Sequence, residues 1–360
     1  MKVSIGARIQ PGPWGGGNQF AINLTEYLSS HGTQVSHDLK DSDIDLILLT
    51  EPRITSRGSA YGSHEILRYL LLKNPKAVVV HRINECDERK GTHHINRLIL
   101  SANKIADHTV FVSSWLRNLY VNFGFGTRPH TTILNGANTK LFHPSGHQNW
   151  EGIGPLKLVT HHWGGNWLKG FDIYQEVDHL LSRPDYKENI SFSYIGQLPK
   201  GFQFLNASYH TPLYGEALAE CLRGNHVYLT ASRNEPGSNH QNEGACCGLP
   251  LLYIDSGSLP EYCTGFGIAF QPENFVQKLN EMIATYPQWS ARMVNFPYTA
   301  HRMCIEYEQL FLKLLDERNG LINQREWTNQ AIYKLSAFLP KKLVSLFFAK
   351  AKHLVKRWIK

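Results

Sequence analysis

Two carboxylates with seven residues between them stand in Arg233-Asn-Glu235-Pro-Gly-Ser-Asn-His-Gln-Asn-Glu243. Each can accept two hydroxyl hydrogen bonds, which suits a polyhydroxyl ligand. Between them, Gly237, Ser238 and Asn239 offer backbone amides and small polar side chains of the kind that hold a phosphate. A ligand with both features is a nucleotide sugar. A second cluster is Gly12-Pro-Trp-Gly15-Gly16-Gly17-Asn18. Its glycines permit close backbone approach, and a helix starting there aims its amides at an anion. The dinucleotide fingerprint would need a further glycine where Phe20 stands, and three consecutive glycines exceed what a plain turn requires. A third cluster, Val80-His81-Arg82-Ile-Asn84-Glu-Cys-Asp87-Glu88-Arg89-Lys90, packs many functional side chains into one short stretch. Two further groupings are weaker. The pairs His93–His94 and His161–His162 lack the spacing that brings ligands onto one ion, so no metal is expected. Asp41-Ser-Asp43-Ile-Asp45 precedes a predicted strand rather than following one, and reads as strand-flanking charge.

The elements that must position these groups alternate. Short apolar, β-branched runs at Val3–Ile5, Ile44–Leu49, Ala77–Val80, Thr109–Val112 and Thr132–Leu134 read as buried strands. Amphipathic helical stretches lie between them at Asn18–Ser30, His64–Lys73, Ile95–Ala106 and Ser114–Val121. After a polar linker at Pro144–Pro155 the pattern restarts. Strands are predicted at Lys157–Thr160, Ser191–Ile195, His226–Leu229, Pro250–Ile254 and Ile268–Phe270, with helices at Gly170–Ser182, Gly215–Arg223, Asn242–Cys247 and Glu273–Thr285. This is α/β in duplicate: two parallel sheets in tandem, each covered by helices on both faces. Ligands of such sheets bind beyond the carboxyl ends of the strands, so two facing edges would form a cleft. All three clusters fall at predicted carboxyl edges.

The block from Glu235 through Glu243 to Gly-Leu-Pro250 and then Gly257-Ser-Leu-Pro-Glu261 resembles the donor-site signature of glycosyltransferase family 4. Ile133-Leu-Asn-Gly-Ala-Asn-Thr-Lys-Leu-Phe-His-Pro144 is similar to the segment closing that family's N-terminal domain. Ala106–Trp115 looks like one of its strands, and Lys169-Gly170 sits where its "KG" lysine sits. The likeness covers about residues 1–315. It implies the GT-B fold, two Rossmann-like domains facing a central cleft, and a retaining transferase that moves a sugar from a nucleotide diphosphate sugar to an acceptor hydroxyl. The resemblance implies that Glu235 binds sugar hydroxyls and the amides around Gly237–Asn239 hold the sugar and its phosphate. Glu243 would bind the ribose, and Lys169 would neutralise the diphosphate. Gly15–Gly17 would let the diphosphate and acceptor approach. His81, or Arg82 as the alternative, would lie near the reacting sugar and acceptor, with Arg82, Asn84 and Asp87 on the acceptor side. The family's usual arginine, about five residues before the lysine, is missing, and His162 or Arg233 is the expected replacement. The implied division is 1–150 for the acceptor-side domain, 151–297 for the donor domain, 298–318 for a helix crossing back, and 319–360 for a tail. No cofactor and no metal are implied.

The composition fits an ordinary globular protein of 360 residues, with 42% hydrophobic and 19% charged residues. No apolar run approaches the roughly 20 residues that span a bilayer, and the first residues do not resemble a signal peptide. The six cysteines form no framework spacing and read as free thiols, so a cytoplasmic location is expected. The net charge of +7 is unevenly placed. Residues 335–360 hold seven Lys and Arg and no acidic residue, which leaves 30 basic against 30 acidic residues in 1–334. At roughly 100° per residue, Leu343, Val344, Phe347, Phe348, Ala351, Leu354, Val355 and Trp358 share one face, opposite the lysines. Such a helix suits an anionic membrane surface, so peripheral association with the inner face of the membrane through 335–360, and a glycan or lipid-linked acceptor, are expected. No basic patch with interleaved aromatics points to nucleic acid. Two other readings remain open at this level. One is a nucleotide-sugar epimerase using His81, Asp87 and Glu88; the other is a non-catalytic membrane adaptor.

Overall fold

The computed structural model describes residues 1–12 and 14–325. The predicted amphipathic helix of 335–360 lies outside the described residues. The first sheet comprises β1 (Lys2–Ile5), β2 (Gln34–Ser36), β3 (Leu46–Leu49), β4 (Val78–Ile83), β5 (His108–Phe111) and β6 (His130–Thr132), in the order β2-β1-β3-β4-β5-β6. The second comprises β7 (Leu156–His162), β8 (Ile190–Gly196), β9 (Ser208–His210), β10 (Val227–Thr230), β11 (Leu251–Ile254) and β12 (Gly267–Phe270), ordered β12-β11-β10-β7-β8-β9. Every pairing within both sheets is parallel. The expected pair of parallel sheets is therefore present. Two strands that periodicity does not reveal are β2 and β9, each three residues long and at a sheet edge. Their partly or fully exposed residues, Gln34, Ser36, Ser208 and His210 among them, give no buried apolar run to read.

The topology fixes where ligands can sit. In each sheet the strand order reverses once, between β1 and β3 in the first and between β7 and β10 in the second. Connections leave such a switch point in opposite directions, which opens a crevice at the strands' carboxyl ends. The Gly15–Gly17 loop follows β1, the Lys169 loop follows β7 and the Glu235 loop follows β10. The three loops thus converge from two switch points.

The chain crosses between the sheets twice, and the crossings touch. Ala137 and Thr299 form an isolated parallel bridge. A Cβ on Gly136 would lie 2.1 Å from the Thr299 carbonyl carbon, so only glycine lets the crossings pack. That close approach explains the glycine of the Asn135-Gly136-Ala137 motif. From the second crossing, the helix Ala300–Asp316 returns to the first sheet, with Thr299 capping it by accepting a hydrogen bond from the Arg302 amide. Met303, Cys304, Tyr307, Leu310, Phe311 and Leu314 join one core with Phe20, Leu24 and strands β1, β3, β4 and β5. About 1.5–3 kcal/mol per large buried side chain holds this helix down. The body continues past the expected boundary at 319. Arg318–Asn323 form another helix with Ile322 buried, and Arg325 donates to Asp107 at 2.6 Å. The acidic run at Asp41–Asp45 flanks strands as expected, at the end opposite the cleft. Asp41 and Asp43 hold the Lys2 ammonium, and Asp45 pairs with Arg318.

Candidate active site

Glu235 is almost wholly buried, at 1% exposure, in the loop after β10. Its Oε1 accepts from the Lys169 ammonium and, at 2.6 Å, from the Ser232 hydroxyl. Its Oε2 lies 3.5 Å from the Arg89 Nε, which reaches over from the first domain. Burial works to raise the Glu235 pKa, but Lys169 and Arg89 outweigh it and hold the carboxyl far below the usual carboxylate range. The two cations thus favour its ionised form. Lys169 is pulled the other way: burial lowers its pKa, Glu235 opposes, and the neighbouring Arg89 adds a lowering repulsion.

Local backbone explains why Lys169 arrives there. A single 3-10 turn, Trp167–Lys169, starts with the Asn166 side chain accepting from the Leu168 amide. It ends at Gly170 with φ +99°. A Cβ at Gly170 would sit 2.3 Å from the Ala231 Cβ. The "KG" pair thus needs its glycine for two physical reasons, sign of φ and contact with the end of β10.

Glu243 lies on the helix His240–Cys246 and accepts from His161 Nε2 at 2.8 Å. His161 Nδ1 meets the Tyr228 hydroxyl at 3.0 Å. The ring is thus held at both nitrogens, which orients it against the carboxylate. Gly237, with φ +158°, presses against the first domain: its Cβ would be 2.7 Å from Val112. Its carbonyl accepts from Asn135 Nδ2 at 2.5 Å, and the Pro236 carbonyl accepts from the Ser113 hydroxyl at 2.6 Å. These cross-domain bonds seat the Gly237–Asn239 loop at the mouth of the cleft.

Gly15, Gly16, Gly17, Arg82, Asn84, Lys169, Glu235, Gly237, Ser238, Asn239 and Glu243 all line this one cavity. The three glycines have no need of being glycine for the fold. Gly15 has φ −62°, and a Cβ on it meets nothing within 4 Å. On Gly16 and Gly17 the nearest atoms would lie 3.9 Å away. Since a helical glycine costs roughly 0.5–1 kcal/mol relative to alanine, the free space points to an approaching ligand. Gly17→Ala should therefore raise stability by up to about 1 kcal/mol while weakening ligand binding; urea unfolding and calorimetry read the two effects separately.

Two sequence expectations fail. His81 does not face the cleft. Successive strand residues point to opposite faces, and in β4 it is Arg82 that turns to the cavity. His81 is buried beneath the helix Ile95–Asn103, its Nδ1 2.8 Å from Asn103 Oδ1, and burial pushes its pKa down to about 4. Arg82 sits over the Phe20 ring at 3.9 Å and donates to Asn135 Oδ1 at 2.9 Å. Asp87 is likewise structural. Its carboxylate accepts from the Thr92 hydroxyl and from the amides of His94, Ile95 and Asn96, which starts a helix. Burial tends to raise its pKa, and these bonds more than reverse that.

The expected substitutes for the missing arginine also fail. Arg233 makes two bonds to Asp172, at 2.5 and 2.7 Å, and is absent from the cavity lining. His162 lines the cavity, but burial holds its pKa well below the usual value, which disfavours the charged form a diphosphate would need. Arg89, Asn135, His161 and His240 are cavity residues that sequence reasoning missed. Among the described residues no group of three or more His, Cys, Asp and Glu could hold a metal ion, and no helix is long and apolar enough to cross a membrane.

No family model matches the sequence, and no curated protein matches it. Solved structures do match. Sucrose-phosphate synthase from Thermosynechococcus elongatus is 13% identical, with 88% of this chain and 99% of that chain covered and a TM-score of 0.61. HepE from Anabaena, in complex with UDP and glucose, is 12% identical over 86% and 99% of the two chains, at a TM-score of 0.60. The catalytic domain of starch synthase IV from Arabidopsis thaliana, bound to ADP and acarbose, is 14% identical over 88% and 99%, also at 0.60. Together with the two six-stranded parallel sheets and the cleft between their switch points, these likenesses give the chain the GT-B fold of glycosyltransferases.

Proposed function

We propose that the chain is a glycosyltransferase that moves a sugar from a nucleotide diphosphate sugar to an acceptor hydroxyl, with retention at the anomeric carbon. The observation that carries this reading is Glu235: a buried carboxylate kept ionised by Lys169 and Arg89 at the point where the two switch-point loops meet. An ionised, partly prepaired carboxylate suits hydroxyl donors, and the adjacent lysine suits the diphosphate that departs. HepE, of like fold, was solved with UDP and with UDP-glucose, which supports a nucleotide sugar as donor.

The residues divide as follows. Glu235 receives sugar hydroxyls. The amides of Gly237–Asn239 hold the sugar and its phosphate, and Lys169 holds the leaving diphosphate. Glu243, steadied by His161, receives the ribose hydroxyls. Gly15–Gly17 admit the diphosphate and the acceptor, with Arg82 and Asn84 on the acceptor side. In this reading the departing phosphate takes the acceptor's proton, so no side-chain nucleophile is required. Epimerisation loses its proposed acid and base: His81 and Asp87 are engaged in the first domain, and Glu88 accepts from the Asn96 side chain at 3.2 Å. The acceptor as glycan or lipid-linked, and the membrane face as the place of action, belong to the same proposal and rest on the charge of 335–360.

Purified protein offered a panel of UDP-, ADP-, GDP- and dTDP-sugars should release nucleoside diphosphate from one of them, slowly with water and faster with a hydroxyl acceptor. A panel that neither binds nor turns over defeats the reading.

A further inference from the structure

The cavity is lined by four cations, Arg82, Arg89, Lys90 and Lys169. Lys169 alone comes from the donor domain. Arg82 is fixed deep in the first domain, over Phe20 and against Asn135. Lys90 is about half exposed and bonded to Glu85 at 3.0 Å. Arg89 differs from both. It stands on the loop after β4, its Nη1 is held loosely by Glu85 at 3.3 Å, and its Nε meets Glu235 from across the cleft. Lys169 and Arg89 therefore rest on the two oxygens of a single carboxylate. Two cations sharing one carboxylate repel each other, which is the lowering effect of Arg89 on Lys169. Asn234 Nδ2 also donates to the Glu88 carbonyl at 3.2 Å, so the same first-domain loop touches the Glu235 loop at a second point.

On the donor side the cavity has open space beside Lys169. Gly164 lines the cavity five residues before Lys169, its φ is not positive, and a Cβ on it meets nothing within 4 Å. Nothing in the fold requires glycine there. Arg233, the other arginine nearby, is spent on Asp172.

We infer that Arg89, supplied by the opposite domain, is the second diphosphate-binding cation of this chain. The inference rests on the donor reading above. Arg89 and Lys169 lie against Glu235 and neutralise it. An incoming diphosphate, with its oxygens near both cations, draws them off, and the sugar hydroxyls take their place on Glu235. One guanidinium thus serves two anions in turn, and a bidentate fork is better suited to this than an ammonium. Because the two cations belong to different domains, the diphosphate bridges the cleft, and donor binding is coupled to the fit of the domains against each other.

The test is titration calorimetry with UDP, ADP and GDP, and with the matching nucleoside for whichever diphosphate binds. Arg89→Ala and the polar, uncharged Arg89→Gln should weaken diphosphate binding at least tenfold and leave nucleoside binding within about twofold. Arg89→Lys should fall between. Adding Gly164→Arg to Arg89→Ala should recover diphosphate affinity from the donor side. Wild-type diphosphate affinity in both Arg89→Ala and Arg89→Gln overturns the inference, and so does an equal loss for nucleoside and diphosphate. In both of those outcomes the wild type still binds a diphosphate, so the donor reading stands. A wild type that binds none of the three removes that reading and the inference together.

Discussion

Glu235→Gln should lower sugar transfer by on the order of 10²–10³-fold, the scale seen when a site loses one well-placed polar partner in a transition state. The substitution keeps shape and removes charge. A neutral amide still touches the sugar, but it can accept only at its oxygen. The sequence alone predicts an otherwise intact protein. The structure adds a cost, because Lys169 and Arg89 lose their shared carboxylate. Breaking a buried pair by removing one partner typically costs about 3–5 kcal/mol. Lys169 opens onto the cleft, and water there should hold the loss toward the lower end. Nucleoside diphosphate affinity should move in the opposite direction to turnover, since both cations are released from Glu235 and free to take phosphate. The variant is thus expected to be folded, less stable in urea, at least as good at binding a nucleoside diphosphate, and nearly inactive. Unchanged turnover removes Glu235 from the site. A parallel loss of diphosphate affinity would mean that the carboxylate positions the cations rather than binding the sugar.

What the sequence reveals depends on how local each part is. Glu235, Gly237, Ser238, Asn239 and Glu243 are legible because one loop and one helix turn hold them all. Lys169 is legible because the turn that delivers it ends in a glycine whose φ no other residue tolerates well. The duplicated α/β pattern is legible because central parallel strands are buried on both faces and read as apolar runs. The short edge strands β2 and β9 are not. His81 illustrates a different limit. A loop rich in functional groups invites a catalytic assignment, yet alternation along β4 allows only one of His81 and Arg82 to face the cleft. Which of the two does so is set by what packs on each face, Phe20 and Tyr307 on one and Asn103 on the other. Arg89 and Asn135 lie beyond sequence reasoning altogether. Their partners, Glu235 and Gly237, are over a hundred residues away in the other domain, and only the docking of the two sheets brings them together.

Gly170→Ala should damage stability and catalysis at once, for the same geometric reason. At φ +99° any Cβ is strained, by about 1–3 kcal/mol. This Cβ also falls 2.3 Å from the Ala231 Cβ and 2.6 Å from its backbone. Overpacking of that kind typically costs another 1–3 kcal/mol, and neither neighbour can yield freely. Ala231 follows β10, where its amide donates to the Tyr174 hydroxyl at 3.2 Å, and the Arg233 amide donates to the Leu168 carbonyl at 2.8 Å. The strain is relieved by pushing the Trp167–Lys169 turn and the Glu235 loop apart, which pulls Lys169 from the place where it meets Glu235. A displacement of about 1 Å in a positioned group can cost 10²-fold in rate. The melting temperature should fall by roughly 2–4 °C per kcal/mol lost, and turnover by about 10²-fold. Gly201→Ala separates the two causes. Gly201 has φ +79° but nothing within 4 Å of its Cβ position, so that variant bears backbone strain alone and keeps full activity. If Gly170→Ala merely matched Gly201→Ala, with turnover intact, contact with Ala231 would not be what places Lys169. The link from the glycine to the active-site lysine would then be broken.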